Sequence, residues 1–160
     1  MNLRDNLIED TILNPMLASN REEAIQELLT HLQNLDILSG TEKLFSTIEQ
    51  QENAFSSATG RGIAFPHSIS LEVGELVCIL GISSTGIDFH ASDGQLCHLI
   101  LLTLSPKDDP EKHRKFISRF RTMVGNPEVR SELVDTRLAS DTVDIVHQWE
   151  MDESQNNLLG

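Results

Sequence analysis

The chain has few aromatic residues and few cysteines, and it lacks a long hydrophobic run. Its 160 residues include no Tyr, one Trp, six Phe and two Cys, so the core must be built mainly from Ile, Leu and Val. No run of about 18 apolar residues occurs, which argues against a membrane-spanning helix and against direct membrane insertion. Acidic residues also stand too early in the N-terminal segment for a secretory signal. We therefore expect one cytoplasmic domain with a core of its own.

Basic residues are also scarce. The chain has 12 Lys and Arg against 25 Asp and Glu, a net charge of −13. A field of this sign repels phosphate backbones, so we expect no nucleic-acid partner. One segment departs from this pattern, because residues 106–125 hold six basic residues against three acidic ones, a net charge of +3. Such a segment indicates either a solvated helix face or a site that receives an anionic group.

The cysteines and most of the histidines carry no metal-binding pattern. Cys78 and Cys97 lie in separate apolar runs, without C-x-x-C spacing, and are interpreted as small buried side chains in a reducing compartment. Four histidines are scattered without zinc-binding spacing and are interpreted as surface or packing residues: His31, His90, His98 and His147. We predict neither a metal site nor a cofactor.

Strands and helices follow one another as in an α/β protein. Two continuous apolar runs, residues 76–82 and 96–104, predict central strands that are covered on both faces. A shorter strand is predicted within residues 7–13. Helix-start signals and helical apolar spacing predict five helices, which begin near residues 20, 41, 110, 129 and 141.

This order predicts a single three-layer α/β/α domain with a mixed sheet of four to five strands. We expect the domain to occupy residues 1–151. The remaining residues, 152–160, have little to bury and are predicted to form a flexible C-terminal tail.

The most distinctive stretch is residues 52–68, which read E-N-A-F-S-S-A-T-G-R-G-I-A-F-P-H-S. Residues 56–62 are predicted to form a loop, and residues 62–65 a short buried strand. Pro66 has no N–H to donate, so we expect it to end strand pairing and to leave His67 beyond the strand end, where ligands gather in open sheets. By position alone, His67 is either a nucleophilic or phosphate-carrying histidine or an ordinary loop histidine.

The same stretch resembles the active-site signature of the fructose/mannitol-type IIA components of the bacterial sugar phosphotransferase system, including their nitrogen-regulatory relatives. That signature reads R-E-x-x-x-S-T-G-I-G-x-G-I-A-I-P-H and ends on the phosphorylated histidine. Aligned back from His67, this chain matches it at seven positions: Pro66, Ala64, Ile63, Gly62, Gly60, Ser56 and Glu52. Phe65 and Ser57 are conservative replacements. Three departures remain where the family has arginine, glycine and isoleucine: Gln51, Ala58 and Thr59.

The resemblance implies a phosphoryl-transfer site. It makes His67 the phosphorylated residue and His113, at the start of the helix after the long strand, the second active-site histidine. Histidine has an unperturbed pKa of about 6.5, so one ring nitrogen is free to accept at neutral pH. Loop amides and hydroxyls are expected to bind the phosphoryl oxygens, and the supporting residues are then Ser56, Ser57, Gly60, Arg61 and Gly62. Arg61 or the basic segment 106–125 is expected to compensate for Gln51.

Three functions stay open on the sequence. The chain is a phosphoryl carrier that takes the group from an HPr-like phosphohistidine protein and passes it to a IIB component. Alternatively, it is a nitrogen-type regulatory module, in which phosphorylation of His67 selects target proteins. The third is a binding module of the same fold that has lost efficient phosphotransfer, a hypothesis supported by Gln51 and Ala58. All three imply the α/β fold of the family.

Overall fold

The computed structural model describes residues 2–159. The strands are β1 (Ile12–Leu13), β2 (Ala58–Gly60), β3 (Ile63–Ala64), β4 (His67–Ile69), β5 (Val77–Ile87) and β6 (Cys97–Ser105). The helices are α1 (Arg21–Asn34), α2 (Glu42–Ala54), α3 (Pro110–Val124), α4 (Pro127–Asp135) and α5 (Ala139–Leu159). Two 3₁₀ turns, Leu3–Asp5 and Glu9–Thr11, precede β1.

The strands form one mixed sheet with the order β1-β5-β6-β3-β2, and β4 also pairs with β6. The two long strands, β5 and β6, are antiparallel and lie at its centre. Strands β1, β3 and β4 run parallel to their long neighbours, and β2 pairs antiparallel with β3. The predicted α/β architecture is confirmed. Within residues 2–159 the sheet has six strands and not four to five, because the signature stretch contributes β2 and β4 as well as β3.

Both faces of the sheet are covered, as the uninterrupted apolar runs of β5 and β6 predicted. Helices α1 and α2 pack on one face, where their buried side chains meet alternate residues of the strands, among them Ile79 and Ile100. Helices α3, α4 and α5 cover the other face, where Phe116 and Phe120 meet Leu99 and Leu101. The histidines His67 and His113 therefore belong to the layer of α3.

Pro66 interrupts the strand that carries His67 but does not end its pairing. Ala64 pairs with Ile100 and His67 pairs with Thr103, so the register on β6 is the same before and after the proline. Pro66 lacks only its N–H, and its carbonyl still accepts from the backbone N–H of Thr103 at 3.1 Å. The expectation that His67 follows the end of the strand was wrong, since His67 is the first residue of β4.

Two other segments differ from the sequence prediction. The first strand is only two residues long, because most of residues 7–13 lies in the 3₁₀ turn and its flanks. At the C-terminus, α5 continues through Leu159, so the predicted tail is helical over residues 152–159. The side chains of residues 154–158 are exposed, which agrees with a segment that buries little. Residue 160 lies outside the described residues.

A buried carboxylate fixes α3 against the C-terminal helix. Glu150 is 3% exposed and accepts hydrogen bonds from the backbone N–H groups of Leu3 and Arg4, at 2.9 and 3.0 Å, and from Nε of Arg119 at 2.9 Å. Burial acts to raise the pKa of Glu150, but these hydrogen bonds outweigh it and lower the pKa below its ordinary value. The network therefore holds α3, the helix that carries His113, in a fixed position.

Both cysteines are free and buried, as predicted. Burial raises the pKa of Cys97 to about 12, so its thiol stays protonated at neutral pH. Over residues 2–159, no helix combines the length and the apolar composition needed to cross a membrane.

Candidate functional site

Strand β4 presents His67 to solvent. Its burial alternates with the strand period, so His67 and Ile69 are exposed and Ser68 between them is buried. Nδ1 of His67 lies 3.1 Å from the carbonyl oxygen of Phe65. Because a carbonyl oxygen can only accept, Nδ1 carries the hydrogen in this contact. The other nitrogen, Nε2, then has its lone pair free on the exposed side of the ring.

His113 lies beside His67, in the first turn of α3. Asp109 caps that helix by accepting from the N–H of Lys112, and Nε2 of His113 lies 2.9 Å from the Thr103 hydroxyl on β6. The ring centroids of His67 and His113 are 5.9 Å apart, with 37° between the ring planes. Burial and, second, the nearby His67 lower the pKa of His113, so its ring is neutral at pH 7.

The two signature serines lie at the same end of the sheet as His67, but their hydrogen bonds are internal. The Ser56 hydroxyl donates to the Phe89 carbonyl and accepts from the N–H of Ala58. Ser57 accepts from the N–H of Phe65 through its hydroxyl and its carbonyl, each at 3.2 Å. Both serines thus shape the backbone that leads to His67, and the Ser57 hydroxyl hydrogen remains available as a donor.

The turn at residues 60–62 is at the wrong end of the strand to bind a phosphoryl group on His67. Gly60, Arg61 and Gly62 all have positive φ, at 96°, 61° and 78°, as a tight hairpin between β2 and β3 requires. Gly62 and His67 are five residue steps of extended chain apart, which is about 16 Å. The N–H of Arg61 is also occupied, since it donates to Asp93 at 2.9 Å. The predicted phosphate-binding role of Gly60 and Gly62 is therefore corrected to a structural one, whereas that of Arg61 stays a prediction, because its side chain lines a groove with Phe65 and Arg121.

The three arginines of the basic segment 106–125 have different contacts, and two of them, Arg114 and Arg121, line a groove with His113. Arg119 is bound to Glu150 and lies over Trp149, and Arg114 pairs with Glu111 at 2.8 Å. Arg121 instead lies over the ring of Phe65, 4.8 Å from its centroid, and shares a groove along α3 with His113. Phe65 and His67 point to the same face of the strand, about 7 Å apart, so Arg121 brings its charge to the side of the site.

Gln51, which stands where the family signature has arginine, is on α2. That helix belongs to the layer on the opposite face of the sheet from His113. Its side chain is exposed. A neutral amide there adds no positive charge to the site.

Two large apolar side chains next to His67 are exposed. Ile69, in β4, is 63% exposed and Leu71, just after it, is 91% exposed. Ile69 projects from the same side of β4 as His67, and Leu71 lies in the bend that follows the strand. An apolar patch of this kind beside a reactive side chain is typical of a protein-contact surface. We refer to Ile69 and Leu71 as the apolar patch.

Sequence reasoning missed three groups that contact the histidines or their neighbours: Thr103, the Phe65 carbonyl and Arg121. Thr103 carried a signal, because it is a polar residue inside the apolar run of residues 96–104. Arg121 was noticed only as one of six basic residues. The Phe65 carbonyl is a main-chain group, and no sequence pattern marks it.

Comparison with known proteins identifies the family. Residues 6–149 match the model of the family described as "Phosphoenolpyruvate-dependent sugar phosphotransferase system, EIIA 2". The chain belongs to this family of phosphotransferase-system phosphocarriers. The sequence-based family resemblance is thereby confirmed.

Relatives come from both the sugar-transport and the nitrogen-regulatory branches. The chain is 26% identical over 148 residues to the PTS system fructose-specific EIIABC component of Bacillus subtilis, covering 92% of this chain and 23% of that protein. It is 24% identical over 137 residues to the Nitrogen regulatory protein of Bradyrhizobium diazoefficiens, covering 86% of this chain and 89% of that protein. The chain thus spans about a quarter of the first relative and most of the second.

Solved structures have the same fold. The Nitrogen Regulatory Protein IIA-Ntr from Neisseria meningitidis superposes with a TM-score of 0.81 at 20% identity, over 90% of this chain and 98% of that one. The IIA chain in the Escherichia coli complex of enzyme IIA-mannitol with phosphorylated enzyme IIB-mannitol gives a TM-score of 0.74 at 16% identity, over 89% and 98% of the two chains.

Proposed function

We propose that this chain is a phosphoryl carrier that accepts phosphate on Nε2 of His67 from an HPr-like phosphohistidine protein. It then passes the group to a IIB component or uses it as a regulatory signal. One observation carries the proposal: an exposed imidazole whose Nδ1–H is bound to the Phe65 carbonyl, with a second imidazole beside it. That arrangement keeps the hydrogen of the His67 ring on Nδ1, leaves the lone pair of Nε2 on the exposed side of the ring and leaves space for a partner protein.

The transfer step follows from this geometry. The Nε2 lone pair of His67 attacks phosphorus, the bond from phosphorus to the donor's ring nitrogen breaks, and its electron pair returns to the donor's imidazole. His67 keeps its hydrogen on Nδ1, so its ring becomes cationic as the new N–P bond forms. The Phe65 carbonyl oxygen stabilises that charge, because a hydrogen bond from a charged donor is stronger than one from a neutral donor. Positioning and electrostatics suffice for such a step, and the proposal requires neither metal nor cofactor.

His113 stabilises the phosphoryl oxygens in this proposal. It is neutral before transfer, which avoids repulsion with the ring of His67 as that ring gains charge. Its ring donates to a phosphoryl oxygen in the tautomer in which the Thr103 hydroxyl donates to Nε2, because the single hydrogen of the neutral ring is then on Nδ1. Arg121 adds positive charge on the same side. Both groups favour the dianionic phosphoryl group where it arrives.

The apolar patch supports protein partners and not a small-molecule substrate. Ile69 is exposed on the same strand as His67, Leu71 is exposed in the bend after that strand, and both offer an apolar contact surface to whichever protein brings or takes the phosphate. A IIB partner is suggested by the mannitol complex, in which a protein of the same fold is bound to its IIB enzyme. An HPr-like donor is our inference from the family.

A regulatory output is the second candidate. It is supported by the match to a nitrogen regulatory protein, because that protein corresponds to this chain over 89% of its length. In this case the same phosphorylation of His67 changes which target protein the chain binds. A third possibility, loss of transfer through Gln51, is the outcome that a failed phosphorylation experiment would support.

Incubation with a phosphorylated HPr-type carrier, followed by intact mass measurement, tests the proposal. We expect a gain of one phosphoryl group that is labile in acid and absent from the His67→Ala variant. His147→Ala, which removes another histidine, is expected to behave as the wild-type chain and serves as the matched control. Acid-stable label, or label that survives His67→Ala, would contradict the proposal. Addition of IIB proteins to the phosphorylated chain then separates transport from regulation.

A further inference from the structure

A chain of hydrogen bonds runs from α2 to the ring of His67. The Glu52 carboxylate, near the C-terminus of α2, accepts from the N–H of Ser57 at 2.9 Å. Ser57 in turn accepts from the N–H of Phe65 through both its hydroxyl and its carbonyl. The Phe65 carbonyl accepts from Nδ1 of His67 at 3.1 Å. Three consecutive links therefore connect a carboxylate in one helical layer with a histidine ring in the other.

Glu52 is unusual because it is a buried acidic residue. Its exposed fraction is 4%, and a carboxylate is rarely buried to this extent unless a partner requires it. A second buried residue, Arg21, which is 6% exposed, holds the same end of α2. Its guanidinium donates to the Asn53 side chain at 2.6 Å and approaches the Glu52 carbonyl at 3.5 Å. The Glu52 end of the first link is thus fixed within the fold.

We propose that Glu52 is a positioning residue for His67, acting through Ser57 and Phe65 to select the tautomer that leaves Nε2 free. The kinetic part of this inference rests on the function proposed above, whereas the tautomer part does not. Without the link from Glu52, the Ser57 main chain is free to shift and the Phe65 carbonyl moves with it. The ring of His67 then loses its fixed acceptor and distributes its hydrogen between the two nitrogens. A proton on Nε2 blocks the lone pair that must attack phosphorus.

Two conservative substitutions of Glu52 distinguish a positioning role of its carboxylate from a role of its negative charge. Glu52→Gln removes the charge but keeps an oxygen at the same reach, so it still accepts from Ser57. Glu52→Asp keeps the charge but withdraws the carboxylate by one methylene, about 1.5 Å, which takes it beyond hydrogen-bond distance of Ser57. The positioning role predicts that Glu52→Gln resembles the wild type and Glu52→Asp is impaired. A role of the charge alone predicts the reverse order.

The first measurement uses no phosphoryl donor. The ring nitrogens of His67 are read by ¹⁵N NMR at about pH 8.5, well above the ordinary histidine pKa of about 6.5, with His67→Ala used to assign the signals. We expect the hydrogen on Nδ1 in the wild type and in Glu52→Gln, and a mixture of tautomers in Glu52→Asp. Thermal unfolding of each variant shows whether the fold is kept. Glu49→Asp and Glu49→Gln, one turn earlier on α2, are the matched controls and are expected to leave the tautomer unchanged.

The second measurement is the rate of phosphorylation of His67. A small misplacement of a reacting group costs about tenfold to hundredfold in rate, so Glu52→Asp is expected to slow phosphorylation by that factor and Glu52→Gln by less than about threefold. Ser57→Ala breaks one of the two acceptor bonds to Phe65 and is expected to change both readouts in the same direction, but less. It also decides the question if Glu52→Asp fails to fold, since no change in Ser57→Ala would then overturn the proposal.

The two proposals fail in different ways. If the wild-type chain takes no phosphate while Glu52→Asp still shifts the tautomer, the proposed function fails and the positioning role of Glu52 stands. If the wild type is phosphorylated and folded Glu52→Asp matches it in tautomer and rate, Glu52 has only a structural role. A variant that loses rate while keeping the wild-type tautomer would also overturn the mechanism proposed for Glu52.

Discussion

The ring centroids of His67 and His113 lie 5.9 Å apart, one on a strand of the sheet and the other on a helix that covers one face of that sheet. Each ring has one nitrogen bound by the protein, through the Phe65 carbonyl and the Thr103 hydroxyl respectively. Each therefore keeps one nitrogen for a group placed between or beside them. A phosphoryl group on His67 would be within reach of the second ring.

The first prediction is that His113→Ala slows phosphorylation of His67 without unfolding the protein. Removing one preorganised donor to a developing anionic group costs about a hundredfold to a thousandfold in rate. The half-buried ring heads a helix and fills no core position, so the loss of stability is expected to be small. The rate is measured by quenching the transfer reaction at successive times, and thermal unfolding shows whether the variant keeps its fold. Normal transfer by the folded variant would remove His113 from the site.

The sequence predicted the elements that carry His67 and His113 better than the turn and the main-chain hydrogen bonds around them. Continuous apolar runs, the helix start at Asp109 and the signature that ends at His67 are local patterns, so β5, β6, α3 and the two histidines were found. The turn at Gly60 was expected to lie near His67, because glycines are typical both of a ligand-binding loop and of a hairpin. Only the pairing of β2 with β3 shows that Ser57 lies near His67 and that Gly62 does not. Links through main-chain groups, such as the Phe65 carbonyl, depend on tertiary structure and have no side-chain signal.

The second prediction concerns the pH dependence of stability. Burial and the neighbouring His67 lower the pKa of His113 in the folded chain below its ordinary value of 6.5. The unfolded chain therefore binds a proton first as the pH falls, and the free energy of unfolding drops from pH 6.5 downward. Replacing the ring by an amide in His113→Asn is expected to flatten this part of the curve. Urea unfolding at intervals between pH 8 and 5 measures it, with His147→Asn as the control.

Phosphorylation is expected to reverse the shift at His113. A nearby dianion favours the charged form of an imidazole, so the pKa of His113 should rise when His67 carries phosphate. NMR titration of the His113 ring in the two forms tests this. An unchanged titration would mean that the phosphoryl group points away from His113.

The third prediction is that the apolar patch controls docking and not intrinsic reactivity. Ile69→Lys and Leu71→Lys place charges in a contact surface and are expected to lower the rate of phosphorylation by a protein donor by about tenfold or more. Phosphorylation by phosphoramidate, a small donor that needs no protein contact, is expected to change less than about twofold. Leu17→Lys, an equally exposed substitution near the opposite edge of the sheet, is the matched control. Equal losses with both donors would indicate damage to the site itself.

The last prediction asks where the positive charge at the site comes from. Arg121 lies over Phe65 and shares a groove with His113, whereas Gln51 is neutral and belongs to the opposite helical layer. We therefore expect Arg121→Gln to slow phosphorylation or to shorten the lifetime of phospho-His67, and Gln51→Arg to have little effect. Arg137→Gln removes the same charge next to Thr136, which accepts from Asn14 beside β1 at the opposite edge of the sheet, and is the control. A charge-assisted hydrogen bond is worth about 1.5–3 kcal/mol, or about tenfold or more in rate. A gain of that size in Gln51→Arg would show instead that the chain lacks a charge that Arg121 does not supply.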